Sequence, residues 1–259
     1  MEGVLESMGD YTIHMDESGI LRFVIDRPEK RNAVSYEVMD GLSLVLDEAV
    51  ENENVKALLI TGSGDQAFCS GGDLSQFHRL KTEDESYEML NKMGGILSNL
   101  AFLPKPTIAY INGTAIGGGC EIAAACDFRI ASRSAKMGFV QGNLAITTGW
   151  GGGTLLFERL PASKALSLLM TARVENTGEL YDIGFIDHLV DEGLTIEESP
   201  LLQMISSKSP GVLRAYKQQL LNKWDIEKMK ENMKEEIRQC AKLWAGDEHH
   251  EAVDKFLRK

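Results

Sequence analysis

The chain has 259 residues, 43% of them hydrophobic, which is enough to bury a large core in one main domain. Its formal net charge of -12 argues against a nucleic-acid binder, because phosphate backbones are held by surplus Lys and Arg. No apolar run reaches the length of a membrane span, and residues 1–10 are polar and acidic. We therefore expect a cytoplasmic protein with neither a nucleic-acid nor a membrane partner.

Two β-rich runs, residues 11–16 and 20–26, flank a Gly-containing turn and predict a hairpin. Ser35 is a candidate N-cap for the first helix, and residues 55–61 form a short apolar strand after it. The helix is indicated by apolar residues at helical spacing, namely Val38, Leu42, Val45, Leu46 and Ala49. This order is a strand, helix, strand unit.

The same order repeats along the next stretch of the chain. A loop at residues 62–72 precedes a helix at 83–100, a strand at 106–111, a Gly-rich turn and an apolar helix that ends near Ala125. The alternation favours an α/β fold with mostly parallel strands. After residue 149 the pattern becomes helical, with a brief strand at 186–190. A long amphipathic helix follows, whose apolar face is Ile226, Met229, Met233, Ile237, Cys240 and Trp244, a stripe typical of core or subunit contact.

The cysteines and histidines give no sign of a metal site. The four cysteines, at positions 69, 120, 126 and 240, lack CxxC spacing and lack histidines at ligand spacing, which favours reduced thiols that pack in the core. The histidines at 14, 78 and 188 are isolated, and the pair at 249–250 is without HExxH spacing. We predict no metal.

Two Gly-rich turns, residues 68–73 (FCSGGD) and 117–121 (GGGCE), each lie between a strand and a probable helix. Glycine permits a sharp turn and close approach of a ligand, and N–H groups at a helix start favour negative charge. Each turn alone is equally compatible with a plain tight loop. Together they predict backbone donors that hold one oxyanion. The GxGxxG, GKS/T and GxSxG patterns of nucleotide sites and serine hydrolases are missing, so Ser70 is interpreted as a loop residue.

Residues 25–33 (IDRPEKRNA), 67–73 (AFCSGGD), 111–113 (ING) with 117–121, 125–127 (ACD) and 149–154 (GWGGGT) occur in one order. With these motifs the chain resembles the crotonase (enoyl-CoA hydratase/isomerase) superfamily over essentially its whole length. The resemblance implies a crotonase-like α/β spiral of ββα repeats with a helical C-terminal region. It implies an acyl-CoA site in a spiral core at residues 1–195, a capping or trimerisation region at 196–259, and a homotrimer or dimer of trimers.

The resemblance also implies a substrate site for an acyl-CoA thioester, with no cofactor beyond the coenzyme A of the substrate. The N–H groups of Gly72 and Gly118 would hold the thioester oxygen. Trp150 would line the acyl pocket, although an aromatic in a Gly-rich segment can equally be a packing anchor. The expected substrate and coenzyme A contacts are Arg27, Lys30, Arg31, Cys69, Ser70, Gly71, Asp73, Leu74 and Gly117. For Lys30 and Arg31 the alternative is a solvated charge pair.

Glu121 corresponds to one of the two glutamates with which hydratases of this superfamily position and activate water. A carboxylate one turn into an apolar helix is open to tuning toward neutrality by burial, as a general acid or base requires. The alternative is a carboxylate that complements the helix dipole. The second glutamate position falls on Gln141, or on Asn143 if a one-residue length difference is placed earlier. An amide orients water but does not exchange a proton near neutral pH.

Three functional hypotheses follow. The first is an enoyl-CoA hydratase/isomerase-type enzyme with the Gly72 and Gly118 N–H groups as electrophile and Glu121 as proton-transfer group. The second is a methylmalonyl- or ethylmalonyl-CoA decarboxylase of the same superfamily, because loss of carbon dioxide needs an oxyanion hole but no starting base. The third is a non-catalytic acyl-CoA-binding subunit. Fold-level likeness does not decide among them.

Overall fold

The strands and helices that the hydrophobic pattern predicts begin and end close to the predicted positions. The computed structural model describes residues 3–191 and 193–258, so residues 1–2 of the acidic N-terminal segment lie outside the described residues. The strands are β1 (Gly3–Met8), β2 (Tyr11–Met15), β3 (Ile20–Ile25), β4 (Ala57–Gly62), β5 (Ala67–Cys69), β6 (Thr107–Ile111), β7 (Thr114–Ile116), β8 (Phe128–Ser132), β9 (Lys136–Gly138), β10 (Glu175–Asn176) and β11 (His188–Val190). The helices are α1 (Tyr36–Glu51), α2 (Leu74–Phe77), α3 (Glu83–Ala101), α4 (Gly118–Ala125), α5 (Gly152–Arg159), α6 (Ala162–Thr171), α7 (Thr177–Asp182), α8 (Pro200–Ser206), α9 (Pro210–Lys223), α10 (Ile226–Trp244) and α11 (Asp247–Leu257).

Two sheets form the centre of the fold. The larger sheet has the strand order β1-β2-β3-β4-β6-β8-β11, and the smaller one has the order β10-β9-β7-β5. Strands β3, β4, β6, β8 and β11 run parallel, while β1 and β2 extend the larger sheet as an antiparallel hairpin edge. The prediction of an α/β fold with mostly parallel strands is confirmed.

The repeating unit is a strand of the larger sheet, a short strand of the smaller sheet, and then a helix. Strand β4 continues into β5 and α2, and β6 continues into β7 and α4. In each of these two turns of the spiral, a strand of the smaller sheet therefore ends directly before a helix begins. The ββα spiral expected from the resemblance is confirmed.

Six strands were not predicted, namely β1, β5, β7, β8, β9 and β10. The interpretation of residues 62–72 as a loop is wrong for β5, and the turn after residue 111 contains β7. These strands have three residues each, too few for an alternating pattern to be recognised. Strand β1 lies in the segment interpreted only as polar and acidic, and it pairs with β2.

The predicted helices have the capping and packing that their sequences indicate. The Ser35 hydroxyl accepts a hydrogen bond of 3.2 Å from the Val38 N–H at the start of α1. Helix α10 buries Met229, Met233 and Ile237 of its apolar stripe, and it packs along α3. The stripe is thus core of this chain. From residue 196 onward the described residues form a 3-10 turn and the helices α8 to α11.

Within residues 3–191 and 193–258, no helix combines the length and the apolar composition that crossing a membrane requires. Helices α3 and α10, at 19 residues each, carry charged residues along one side.

Candidate active site

The parallel pairing of β5 with β7 brings the two Gly-rich turns together. Because the two strands are parallel, their C-terminal ends lie side by side, and one Gly-rich turn follows each of them. A Cβ atom added at Gly71 would lie 3.3 Å from the Gly118 nitrogen. Gly71 and Gly117 have φ angles of 92° and 57°, which side-chain-bearing residues rarely adopt. The two motifs seen in the sequence are therefore one structural feature.

The N–H groups of Gly72 and Gly118 have no hydrogen-bond acceptor among the described residues. Gly118 is the first residue of α4, where the N–H group has no partner inside the helix. The helix dipole also makes this end favourable for negative charge. Two unpaired donors on adjacent turns can hold one oxygen that gains negative charge.

Trp150 packs directly on both of these glycines. A Cβ added at Gly118 would lie 2.0 Å from the indole ring, and one at Gly72 would lie 3.6 Å from it and 2.8 Å from Phe77. Trp150 is buried. Only glycine therefore fits at position 118, because any side chain would overlap the Trp150 ring.

These turns open into a cavity of about 840 Å³ with mainly apolar walls. Of the residues predicted to form the site, the cavity is lined by Ser70, Gly71, Gly72, Leu74, Gly117, Gly118, Glu121, Gln141 and Trp150, and also by Asn143. Helix α3 and the C-terminal helices contribute apolar and charged side chains that no motif indicated, among them Met89, Leu90, Trp244, Glu248, Glu251 and Lys255. The predicted residues therefore form one side of the cavity, and distant helices form the other.

Glu121 is buried in α4 and is held by four donors. Its Oε2 atom accepts hydrogen bonds from the Trp150 N–H at 2.9 Å and the Gly152 N–H at 3.0 Å. Its Oε1 atom accepts from the Gln141 amide at 2.9 Å and the Gly149 N–H at 3.4 Å. The carboxyl group is thus fixed in one orientation at the cavity wall.

The environment of Glu121 brings its ionisation into the neutral range. Burial, followed by the nearby negative charge of Glu236 on α10, raises the pKa of Glu121 to about 7, against the opposing effect of the backbone N–H donors. A group with such a pKa can give or take a proton near neutral pH.

Gln141 and Asn143 lie on the same 3-10 turn, Val140–Leu144, but they point to different partners. Gln141 donates to Glu121, whereas the Asn143 amide donates to the Ala172 carbonyl at 2.9 Å. The Oε1 atom of Gln141 is buried and has no partner among the described residues. Of the two alternatives, the geometry favours Gln141 as the neighbour of Glu121.

A model of the family described as enoyl-CoA hydratase/isomerase matches residues 15–259. The chain belongs to this family. The crotonyl-CoA hydratase of Syntrophomonas wolfei is 36% identical over 74% of this chain and 74% of that protein, and the short-chain-enoyl-CoA hydratase of Clostridium acetobutylicum is 32% identical over 78% and 77%. The crystal structure of an enoyl-CoA hydratase from Bacillus halodurans superimposes with a TM-score of 0.86 at 21% identity, covering 95% of this chain and all of that one, which shows a shared fold.

In this member of the enoyl-CoA hydratase/isomerase family, two residues expected at the substrate have side chains with structural tasks. The Arg27 guanidinium donates to Asp73 Oδ2 and to the Ala33 carbonyl, each at 2.7 Å, and pairs with Asp10 at 3.1 Å. Arg27 and Asp73 are buried and do not line the cavity. Their side chains hold the loop that carries Gly72, and the expected contact of both residues with the substrate stays a prediction.

Cys69 likewise lies outside the cavity lining, while Lys30 and Arg31 are accessible as expected. The Cys69 thiol is buried, away from the cavity lining. Lys30 and Arg31 are exposed, and their carbonyls accept hydrogen bonds from Ser70, a cavity residue. They lie beside the cavity mouth rather than in its wall.

Sequence reasoning missed Glu236 and the α11 side chains. Glu236 lies among the charged residues of α10, and nothing in its local pattern distinguishes it from its exposed neighbours. Only the packing of α10 against α5 gives it a distinct position. Among the described residues, no three His, Cys, Asp or Glu side chains are grouped in a way that could hold a metal ion.

Proposed function

We propose that this family member binds an acyl-CoA thioester and adds water to a short 2-enoyl group, with the thioester enolate held by the Gly72 and Gly118 N–H groups. The observation that carries the proposal is the pair of unpaired N–H groups at the wall of the cavity that also holds Glu121. The named hydratases among the relatives support the same class of reaction.

The oxyanion hole acts on the thioester carbonyl. As water attacks the β-carbon, electron density moves through the double bond onto the carbonyl oxygen. The N–H groups of Gly72 and Gly118 lie in a buried site and need no reorganisation to receive this charge. A pair of preorganised donors lowers the barrier because the charge is greater in the transition state than in the bound substrate.

Glu121 is the proposed proton-transfer group. Its carboxylate takes a proton from water while the oxygen bonds to the β-carbon, and the same carboxyl group returns a proton to the α-carbon. The protonation state of Glu121 is therefore restored in each turnover. Of its hydrogen bonds, the one from Gly149 is longest at 3.4 Å, so Oε1 is the oxygen at which water competes most easily.

Gln141 is proposed to orient the attacking water. Its unpartnered Oε1 atom is an acceptor for one water O–H, while its amide N–H remains on Glu121. An amide in this position directs water without exchanging a proton. One carboxyl group and one amide would thus share the task of two carboxylates.

Decarboxylation of a methylmalonyl- or ethylmalonyl-type thioester is the second candidate, and the amide of Gln141 is the observation that favours it. The bond to the carboxylate carbon breaks, its electron pair forms the enolate held by Gly72 and Gly118, and carbon dioxide leaves. Glu121 then gives a proton to the α-carbon and regains one from solvent water. No second carboxylate takes part, and a neutral Gln141 does not repel an anionic substrate.

Turnover of two substrates offered in parallel separates the candidates. Crotonyl-CoA in water labelled with heavy oxygen is expected to gain one labelled hydroxyl group by mass spectrometry. Release of carbon dioxide from methylmalonyl- or ethylmalonyl-CoA, without hydration of crotonyl-CoA, would instead assign the decarboxylase. Binding of acyl-CoA with no turnover of either substrate would favour the non-catalytic subunit.

We further propose the trimer or dimer of trimers and the coenzyme A contact of Lys30 and Arg31. Several apolar side chains of the C-terminal half are exposed, including Met170 at 77% and Tyr216 at 68%, which supports burial against another subunit. Light scattering of the purified protein tests the assembly, and a monomer mass would contradict it.

A further inference from the structure

The turn that holds Glu121 lies between α4 and α10. On one side, a Cβ added at Gly152 would lie 2.4 Å from the Glu121 side chain. On the other side, one added at Gly151 would lie 2.3 Å from Met233 of α10. The backbone of residues 149–153, the 149–153 turn, therefore packs between Glu121 and helix α10.

Glu236 of α10 binds the end of this turn. Its Oε1 atom accepts from the Gly153 N–H at 3.0 Å, and its Oε2 atom accepts from the N–H and the hydroxyl of Thr154, each at 2.7 Å. These N–H groups belong to the first turn of α5, where no helical acceptor exists. Glu236 is half-buried, in contrast to its exposed neighbour Glu235.

We propose that Glu236 is a positioning residue for Glu121: its carboxylate fixes the 149–153 turn that holds Glu121, and its negative charge faces the Glu121 carboxyl group. Glu121 accepts hydrogen bonds from the N–H groups of Trp150 and Gly152, and Glu236 accepts them from Gly153 and from the residue after the turn, Thr154. A residue of the C-terminal helical region thereby holds a group of the spiral in place and adds to the effect of burial on its ionisation.

Burial has the largest effect on the pKa of Glu121, and the charge of Glu236 has the next largest. Glu236 is the charged group that raises the pKa of Glu121 in addition to burial. The thiols of Cys120, on the same helix, and of Cys240, on α10, are also near Glu121, and Glu248, Glu251 and Lys255 of α11 line the same cavity. Burial raises the pKa of both thiols, so they stay neutral across the working range of Glu121. Removal of the Glu236 charge is therefore expected to lower the pKa of Glu121.

This inference rests on the proposed function only for its catalytic consequence. If Glu121 transfers protons, the limb of the pH–rate profile that reports its pKa moves to lower pH when the Glu236 charge is removed. The profile moves to lower pH whether Glu121 acts first as an acid or as a base. In either case the limb of the profile that reports Glu121 follows the same pKa. The titration itself is measurable without turnover.

The test is the titration of Glu121 by carbon-13 NMR on protein labelled at the glutamate side-chain carboxyl, with the signal assigned by its loss in Glu121→Gln. In Glu236→Gln the midpoint is expected to fall by about half a pH unit or more. Thr154→Val removes one hydrogen bond at the same carboxylate and keeps its charge, so the midpoint is expected to stay. Glu235→Gln makes the same formal change at an exposed neighbour and is also expected to leave it.

An unmoved midpoint in Glu236→Gln, or an equal shift in Thr154→Val, would overturn the proposal. If Glu236→Gln does not fold, Glu236→Ala, which admits water to the start of α5, gives the same readout. The NMR result is independent of activity. A chain with no turnover of acyl-CoA but a shifted midpoint would contradict the proposed function and leave Glu236 as the electrostatic partner of Glu121.

Discussion

The two sides of the candidate site are built in different ways. The spiral side consists of backbone N–H groups from two glycine turns, and the pairing of β5 with β7 fixes their distance. The C-terminal side consists of side chains from α10 and α11 that reach the cavity or its supporting turn through packing over long sequence separations. Local motifs therefore specify the first side, whereas the second depends on how helices pack. The following changes test this division.

Glu121→Gln is expected to have the largest effect on activity, because among the described residues Glu121 is the one carboxyl group on the spiral side of the cavity. Loss of a general acid or base typically lowers the rate by about 10²- to 10⁴-fold. Steady-state kinetics with crotonyl-CoA measures the loss, and Glu235→Gln, an exposed change of the same type, is the control. A Glu121→Gln rate within a few-fold of wild type would remove Glu121 from the mechanism.

Gly118→Ala tests the backbone side. The new methyl group would overlap the Trp150 ring, and displacement of either group disrupts the donor pair. Activity is expected to fall by about 10²-fold or more, as when one oxyanion donor is lost. Gly178→Ala is the control, because a Cβ there meets no atom within 4 Å. Equal activities of these two variants would contradict the oxyanion assignment.

The raised pKa of Glu121 also predicts a pH dependence of stability. The folded chain holds this proton up to a pKa of about 7, whereas an ordinary glutamate releases it near 4.5. Folding therefore favours the protonated form, and this contribution is complete below pH 4.5 and is lost as the pH rises to 7. The unfolding free energy of wild type relative to Glu121→Gln is expected to fall by up to about 3 kcal/mol over this range. Urea titrations across the range measure it, and a rising difference would contradict the assignment.

Two adjacent glycines of α3 test how tightly the C-terminal region joins the spiral. A Cβ added at Gly94 would lie 2.4 Å from Ile237 of α10, while one at Gly95 meets nothing within 4 Å. Gly94→Ala is expected to destabilise the fold by about 1–3 kcal/mol through overpacking. Gly95→Ala is expected to stabilise it by up to about 1 kcal/mol through helix propensity. Denaturant unfolding compares them, and matching stabilities would mean that α10 does not pack closely on α3.

The smallest effect is expected at the cavity mouth. Lys30→Gln and Arg31→Gln remove exposed charges proposed to meet the phosphates of coenzyme A. Each is expected to raise KM a few-fold with kcat unchanged, because exposed ion pairs contribute about 0–1 kcal/mol. Lys164→Gln, an exposed lysine outside the cavity lining, is the control. If all three variants have the wild-type KM, the solvated-pair alternative holds.

The division also explains what the sequence predicts. The α/β class and the Ser35 cap follow from periodicity and cap chemistry, whereas the spiral and the places of Gly72, Gly118 and Trp150 in the site are what the resemblance to the family implies. Strands β5 and β7 were missed because three residues carry no period, although their pairing is what joins the motifs. The ion pair of Arg27 with Asp73 was not predicted, because it depends on a partner distant in the sequence.

The most direct test of the central claim is the infrared band of the thioester carbonyl in crotonyl-CoA bound to Glu121→Gln, which is expected to bind without turnover. Carbon-13 labelling at the carbonyl isolates the band. If the Gly72 and Gly118 N–H groups hold this oxygen, the band shifts to lower wavenumber than in free crotonyl-CoA, and Gly118→Ala in the same background abolishes the shift. A bound carbonyl with the frequency of the free thioester would contradict the oxyanion hole and the mechanism built on it.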